Sequence, residues 1–341
     1  MEISYEKTKY EGQEAIVVSG LGCYSLKDTL ECGQCFRHER IENRCTEGYE
    51  EYFTVAGDVI VRVGQRERGE LLFYDIDEAL LPRLSHYFAL DRDLFEICRE
   101  IMHLTDSPHL LRAAELAAGI AILRQDAWEA LFSFIISQNN NIPRIKKIVR
   151  EICGAYGVNL ALQNPRLHRT PCDINANCKP EEAGGILGYE TLICPLGKGA
   201  CTEQGCRACG RCFSFPGACE VLSEPEKLLI SKPGFRYGYL LDAAKKCAEG
   251  EIDLDEIRSR ACYDYTREQL KRIKGVGDKV AACVALFGFE NLDAFPIDVW
   301  MRRAIDTYFD GHLDYEGLGR YRGIAQQYIF HYIRNIESKT D

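Results

Sequence analysis

The sequence predicts an α+β chain in which an antiparallel sheet precedes a mostly helical region, and three observations carry that expectation. Between residues 1 and 115, short alternating segments such as Tyr52-Phe-Thr-Val-Ala and Val59-Ile-Val-Arg-Val are separated by charged, turn-rich stretches, as antiparallel strands would be. From residue 116 to 341 the apolar residues recur with helical spacing. A stretch rich in Gly, Pro and Cys, residues 158–212, interrupts the helical region and reads as an insertion.

In chain order, helical character is expected from about Glu115. Asp126-Ala-Trp-Glu129 has the spacing of a capping box, and Leu131 to Ile136 is apolar on nearly every side, so the helix it starts should be buried. That helix should end at Asn139-Asn140-Asn141, where one or more asparagines reads as a C-cap. Pro143 suits the first turn of a following helix that runs to about Cys153. After the insertion, helices are expected over 224–230, 237–248, on both sides of Gly275, after Asp298, and over 318–336.

With 46% hydrophobic and 28% charged residues in 341, the chain has the composition of a soluble globular protein able to bury a core. No apolar run approaches bilayer length, and Met-Glu-Ile-Ser-Tyr-Glu-Lys lacks a secretory pattern. A cytoplasmic monomer, associated with the nucleoid in a bacterial cell, is the expectation. The net charge of −10 argues against indiscriminate, charge-driven binding to nucleic acid and leaves room only for a local positive surface. Seventeen cysteines, seven of them from Cys172 to Cys212, favour metal ligation over disulfides in a cytosolic chain.

The most informative stretch is Leu270-Lys-Arg-Ile273-Lys-Gly275-Val-Gly277-Asp-Lys279-Val-Ala-Ala-Cys283, followed by Asp298 in Phe-Pro-Ile-Asp-Val. A helix breaks at Gly275-Val-Gly277 and another starts at once. Such a turn aims backbone N–H groups outward, and the new helix adds its positive end, so Gly275 and Gly277 are candidates to grip a DNA phosphate. A bare Gly-Val-Gly is as often a plain connector, but the longer string and the aspartate downstream point to a DNA-gripping hairpin. Lys279 would then lie beside the gripped strand. As a neutral amine it could attack a sugar C1′, expel the base and leave a Schiff base that permits β-elimination of the 3′ phosphate. Asp298 reads first as an N-cap, a role compatible with stabilising positive charge on the sugar as the glycosidic bond breaks.

This stretch resembles the helix-hairpin-helix DNA glycosylases. A second string, Leu123-Arg-Gln-Asp126-Ala-Trp-Glu-Ala-Leu-Phe-Ser-Phe-Ile-Ile-Ser-Gln-Asn139-Asn-Asn-Ile-Pro-Arg144-Ile, narrows the resemblance to the 8-oxoguanine DNA glycosylase/lyase family, over nearly everything except the Cys-rich insertion. The resemblance implies a bifunctional enzyme of base excision repair. Lys279 would be the nucleophile and Asp298 its partner. Cys283 and Phe330 would sandwich the extruded base, Gln326 would bond to its Watson–Crick edge, and Gly33, in Glu-Cys-Gly33-Gln-Cys-Phe36-Arg, would offer its carbonyl to the N7 hydrogen that only the oxidised base carries. Asn139, Arg144 and Arg236 would contact the cytosine left behind, and Phe235 would wedge into the gap. The implied partner is double-stranded DNA carrying 8-oxoguanine opposite cytosine, and catalysis would require no cofactor. Taken singly, these residues have plainer readings: Phe330 as core, Gln326 as solvated surface, Cys283 as a small buried hydrophobe, Gly33 as a turn, and the two arginines as surface charges.

The chain departs from the family pattern at Phe235, where an aromatic with a hydroxyl is often found, and at Trp300, which replaces a histidine of some members. The insertion is the largest departure. Cys206-Arg-Ala-Cys209 resembles one knuckle of a zinc ribbon, so Cys201, Cys206, Cys209 and Cys212 are candidate ligands of a structural zinc, with an iron–sulfur cluster or unliganded thiols as alternatives. Three rival functions are a hairpin glycosylase for another damaged base, a non-catalytic DNA-binding protein, and a redox or metal-sensing regulator built on the insertion. Retention of both Lys279 and Asp298 speaks against the second.

Overall fold

The computed structural model describes residues 3–10, 12–160 and 210–337. Six strands, β1 (Ser4–Tyr10), β2 (Gln13–Ser19), β3 (His38–Arg40), β4 (Glu50–Ala56), β5 (Val59–Gln65) and β6 (Glu70–Tyr74), form one sheet in the order β1-β2-β6-β5-β4-β3. Every pairing in it is antiparallel. β4 and β5 are the two segments that the alternation pointed to. They are joined by the two-residue turn Gly57-Asp58, with Gly57 at φ +66°, which suits the twist of a hairpin. Both strands are buried along nearly their whole length. Phe53, Val55 and Ile60 lie in a small apolar cluster with Ile41, Leu160 and Cys212, while Tyr52, Val61 and Val63 belong to the main core. The carboxylate of Glu51, wholly buried in this sheet, is satisfied by Arg62 at 2.6 Å, Arg44 at 2.8 Å and the Tyr49 hydroxyl at 2.7 Å.

Thirteen α-helices occur among the described residues: α1 (Leu26–Glu31), α2 (Leu81–Tyr87), α3 (Leu94–His103), α4 (Pro108–Ala117), α5 (Ala127–Ser137), α6 (Ile142–Tyr156), α7 (Ala218–Ser223), α8 (Tyr237–Ala248), α9 (Leu254–Arg260), α10 (Tyr263–Lys271), α11 (Asp278–Phe289), α12 (Val299–Tyr308) and α13 (Arg322–Glu337). None is long and apolar enough to cross a membrane. Helical structure therefore begins well before Glu115. The start signals of α3 and α4 were present in the sequence: Asp93 accepts from Glu96 N at 3.0 Å, and Ser107 caps the helix that opens on Pro108.

Directly after α4, within the stretch expected to be helical from about Glu115, Ile120 to Leu123 instead runs as a buried non-helical segment. Its backbone groups are met by side chains of the N-terminal region: Ala121 N donates to Thr29 Oγ1 at 3.1 Å and Leu123 N to Gln34 Oε1 at 2.8 Å. Those partners are some ninety residues away, so local pattern could not announce them. Residues 225–231 also differ from expectation in type, forming a 3-10 helix that ends on Lys232 in the left-handed region.

The two ends of the insertion are joined. Ser214 N donates to Val158 O at 2.9 Å and Leu160 N to Cys212 O at 2.8 Å, with an antiparallel bridge between Asn159 and Phe213. The chain thus leaves and re-enters the fold at one point. Residues 161–209, with Cys201, Cys206 and Cys209, lie outside the described residues.

One contiguous apolar core links the sheet to the helices. At its centre α11 lies along α5. Gly288 makes this close: a Cβ there would stand 3.0 Å from Ala130 Cβ and 3.3 Å from Ala127 Cα. Beside Gly288 on α11, the Phe287 ring stacks at 5.3 Å on that of Phe134, further along α5. A branched side chain at Gly288 must push the two helices apart. Gly288→Val should lower stability by about 1–3 kcal/mol, since overpacking outweighs the small gain in helix propensity. An unchanged denaturant midpoint would show that the two helices do not depend on this contact.

Candidate active site

The hairpin is formed by α10 and α11, joined by the turn through Gly275. Asp278, the first residue of α11, receives Arg267 at 2.6 Å and Lys271 at 2.8 Å, which clamps the two helices together and holds the Asp278 carboxyl below the usual carboxylate range. The two glycines differ. Gly275 has φ +81°, and a Cβ there would overlap the Tyr239 ring, so both conformation and space demand glycine. Gly277 is the N-cap of α11, with extended backbone at φ −95° and ψ −174°, and a Cβ would meet nothing within 4 Å. The protein's own packing does not require glycine there.

Lys279 stands in the first turn of α11, half-buried, its Nζ 3.5 Å from Ser137 Oγ and 5.8 Å from the centre of the Phe134 ring. Asp298 is the N-cap of α12, and its Oδ1 accepts from Met301 N at 2.8 Å. Cys283, one turn after Lys279, is 5% exposed. Burial pushes its thiol up, the Lys279 charge opposes that rise, and the Asp298 charge adds to it. One thiol thus feels both the amine and the carboxylate, which come from two different helix N-termini.

Gly33 follows α1 in the left-handed region at φ +86°. Its missing Cβ would lie 3.6 Å from Ile142 Cδ1 and 3.9 Å from Phe330 Cε1, ordinary contacts, so backbone conformation rather than crowding selects glycine. The fold therefore brings Gly33 and Phe330 together from opposite ends of the chain. Phe330 is half-buried on α13 with the Arg334 guanidinium 5.5 Å from its ring centre. One turn earlier Gln326 is 3% exposed, not solvated, and its Oε1 accepts from Gln327 Nε2 at 2.6 Å.

A second group gathers around the end of α5. Asn139 is exposed at φ +50°, Asn140 donates to Ile136 O at 2.8 Å, and Asn141 caps α6 by accepting from Arg144 N at 3.0 Å. Of the three asparagines, one thus opens the next helix. Arg236 is 7% exposed, not an ordinary surface charge: its Nε and Nη2 donate to Gln138 O, next to Asn139, and its Nη1 to Pro233 O at 3.2 Å. Arg144 reaches Ser231 O and Lys232 O, each at 3.1 Å. Burial and the neighbouring Arg144 charge lower the pKa of Arg236. Phe235 projects beside them, 55% exposed, with the Arg236 guanidinium 4.4 Å from its ring centre.

Several residues that build this site carried no signal of their own in the sequence: Ser137 and Phe134 beside Lys279, Gln327 beside Gln326, and Tyr239 over Gly275. Of the candidate zinc ligands, only Cys212 lies among the described residues, packed with Ile41, Phe53, Val55, Ile60 and Leu160.

Residues 19–131 match the family model for the 8-oxoguanine DNA glycosylase N-terminal domain. A solved structure of 8-oxoguanine glycosylase/lyase from Clostridium acetobutylicum in its apo form is 30% identical, with a TM-score of 0.73, and the match covers 97% of this chain and 100% of that one. The chain belongs to the 8-oxoguanine DNA glycosylase family. The same Clostridium enzyme has been solved with double-stranded DNA containing cytosine opposite 8-oxoguanine, and that structure matches at 29% identity and a TM-score of 0.74 over 99% of this chain and 100% of that one. Among curated family relatives, an N-glycosylase/DNA lyase of Saccharomyces cerevisiae is 29% identical over 301 residues, 82% of this chain. That of Arabidopsis thaliana is 27% identical over 282 residues, 81% of this chain. The matches span 66% and 64% of those two relatives' lengths, respectively.

Gly275→Ala tests the hairpin turn. The substitution combines a left-handed φ with overlap on Tyr239, so it should cost roughly 1–3 kcal/mol of stability, whereas Gly277→Ala should leave the thermal midpoint almost unchanged. Equal midpoints for the two variants would contradict the distinction.

Proposed function

We propose that the protein is a bifunctional DNA glycosylase/AP lyase that removes 8-oxoguanine from duplex DNA, with cytosine as the opposite base. The supporting observation is that Lys279 stands in the first turn of α11 and Asp298 caps α12, and the charges of both act on the buried Cys283 thiol one turn beyond Lys279. A nucleophile and an anion around one buried thiol suit a reaction that creates positive charge on a sugar. Family membership and the likeness to the Clostridium enzyme point the same way.

In this scheme the damaged nucleotide leaves the duplex, at a cost of a few kcal/mol offset by contacts on both strands. Phe235 enters the vacated stack, while Asn139, Arg144 and Arg236 meet the orphaned cytosine. The arginines are held by backbone carbonyls on one side, which fixes their planes in advance and reduces the ordering cost of binding. The base enters between Cys283 and Phe330, with Gln326 on its Watson–Crick edge and the Gly33 carbonyl accepting from N7–H. Guanine has no hydrogen at N7, so that acceptor separates the two bases.

As the C1′–N9 bond breaks, Asp298 stabilises the positive sugar and the Lys279 nitrogen uses its lone pair to form the C1′–N bond, shedding a proton. The departing base takes up that proton. Loss of the sugar ring oxygen's bond to C1′ gives the Schiff base, and removal of a C2′ proton expels the 3′ phosphate by β-elimination. The N–H groups at Gly275 to Gly277 and the positive end of α11 hold the phosphate backbone meanwhile.

No step of this chemistry passes through a cofactor. The spacing of Cys201, Cys206, Cys209 and Cys212 supports a structural zinc ion in the insertion, apart from the reaction. Unlinked thiols such as Cys23, Cys32 and Cys98 fit the reducing cytoplasm, where the enzyme would work as a monomer on DNA.

Two variants test the reading. Incubation with 8-oxoguanine duplex and borohydride should trap a covalent protein–DNA band, and Lys279→Gln should abolish the band and slow excision by roughly a thousandfold or more. Undiminished excision by that variant would sink the mechanism. Asp298→Asn should keep the helix cap and the thermal midpoint yet lose roughly a hundredfold in excision rate, whereas Asp298→Ala should lose both. A fully active Asn variant would assign Asp298 to capping alone.

A further inference from the structure

The loop that carries Gly33 is pinned on both sides by side chains that take no part in the chemistry above. On one side stands Gln34. Its Nε2 donates to Thr29 O and Ala121 O, each at 2.8 Å, its Oε1 accepts from Leu123 N at 2.8 Å, and its carbonyl accepts from Gln125 Nε2 at 2.8 Å. On the other side runs a chain of three residues. Cys35 Sγ lies 3.3 Å from His38 Nδ1, His38 Nε2 lies 2.8 Å from Lys146 Nζ, and Lys146 also donates to His38 O at 3.0 Å. Lys146 belongs to α6, the helix whose Ile142 side chain lies beside Gly33.

The chain has a defined direction. Burial and the neighbouring Lys146 charge hold His38 well below the usual histidine range, so its ring is neutral. An ammonium can only donate, so Nε2 is the acceptor and the ring proton sits on Nδ1, facing the Cys35 sulfur. Burial pushes the Cys35 thiol up, which keeps its proton in place, and the thiol lies 3.8 Å from Leu30 O in α1. Helix α6, strand β3 and helix α1 are thereby connected through three side chains that bracket the glycine loop. Nothing in the excision chemistry uses this lysine, histidine or thiol. Burying an amine and an imidazole is unfavourable unless each is bonded, and here each bond tightens the same loop.

We infer that the Lys146–His38–Cys35 chain is a positioning device for the Gly33 carbonyl, so that recognition of the oxidised base depends on residues acting only through the loop. This rests on the reading of Gly33 as the acceptor for N7–H. A hydrogen bond weakens steeply when its acceptor swings out of line, so loosening the loop should penalise base recognition and spare steps that involve no base. Cleavage at an abasic site is such a step: it needs Lys279 and the DNA grip, but no contact from Gly33.

The experiment uses the full chain and two substrates, a duplex with 8-oxoguanine opposite cytosine and the same duplex with a preformed abasic site. Single-turnover base release and strand scission are measured for wild type, Lys146→Met, His38→Ala and His38→Gln. Base release should slow roughly tenfold in Lys146→Met and His38→Ala while abasic scission is unchanged. His38→Gln should recover most of the loss, because an amide can both accept from Lys146 and donate to Cys35. Lys146→Met preserves the apolar stem and carries the test if the ring-sized void of His38→Ala prevents folding. Loss of both steps together, or of neither, would overturn the inference while wild-type excision still upheld the proposed function. A wild type that nicks abasic DNA but leaves 8-oxoguanine in place would remove the reading of Gly33, and this inference with it.

Discussion

The close approach of α5 and α11 is the constraint on which the rest of the structure depends. Gly288 lets the second hairpin helix settle against Ala127 and Ala130, and the Phe134–Phe287 stack holds its angle. That contact decides where the N-terminus of α11 points. It carries Lys279 to Ser137 at the end of α5, where the exposed Asn139 and the buried Arg236 are also found. Had the two helices packed a few ångströms apart, the same side chains would exist without forming one site. Packing of small residues against small residues, a feature with no chemistry of its own, aligns the hairpin with the loop that carries Asn139.

Electrostatics shows a similar economy. The chain carries a net charge of −10, and many of its cations are committed internally: Arg62 and Arg44 to Glu51, Arg267 and Lys271 to Asp278, Arg236 and Arg144 to backbone carbonyls. Under the proposed function, attraction to a polyanion would fall to local devices, chiefly the N-terminus of α11 and a few guanidinium groups that backbone carbonyls orient. An enzyme of this kind would bind undamaged DNA weakly and rely on fit at the lesion, which suits a search among many normal base pairs.

Much of this was legible in the chain itself. The strands β4 and β5, the hairpin glycines, the caps at Asp126 and Asp298 and the reach of the last helix are local matters, written in alternation, turn residues and capping spacing. What was misread depended on distant partners. The segment from Ile120 to Leu123 has the apolar character of a helix, yet it is non-helical, and Thr29 and Gln34 of the N-terminal region satisfy its backbone N–H groups at Ala121 and Leu123. Glu129 completes a capping-box pattern, yet its carboxylate bonds to Arg37 at 2.9 Å. Gln326 would be solvated on an isolated helix, and only its neighbours bury it.

The sequence by itself determined the periodicities, the turn that breaks α10 from α11, and the presence of an amine one helical turn from a thiol, because each of these is set within a few residues by backbone sterics and hydrogen-bond geometry. Only the tertiary structure decided that Gly33 lies against Phe330, that Asp298 and Lys279 act on one thiol, and that Arg144 and Arg236 flank the same loop. Those juxtapositions join segments up to roughly three hundred residues apart, and their formation is governed by how apolar faces fill space, which no short window of sequence encodes.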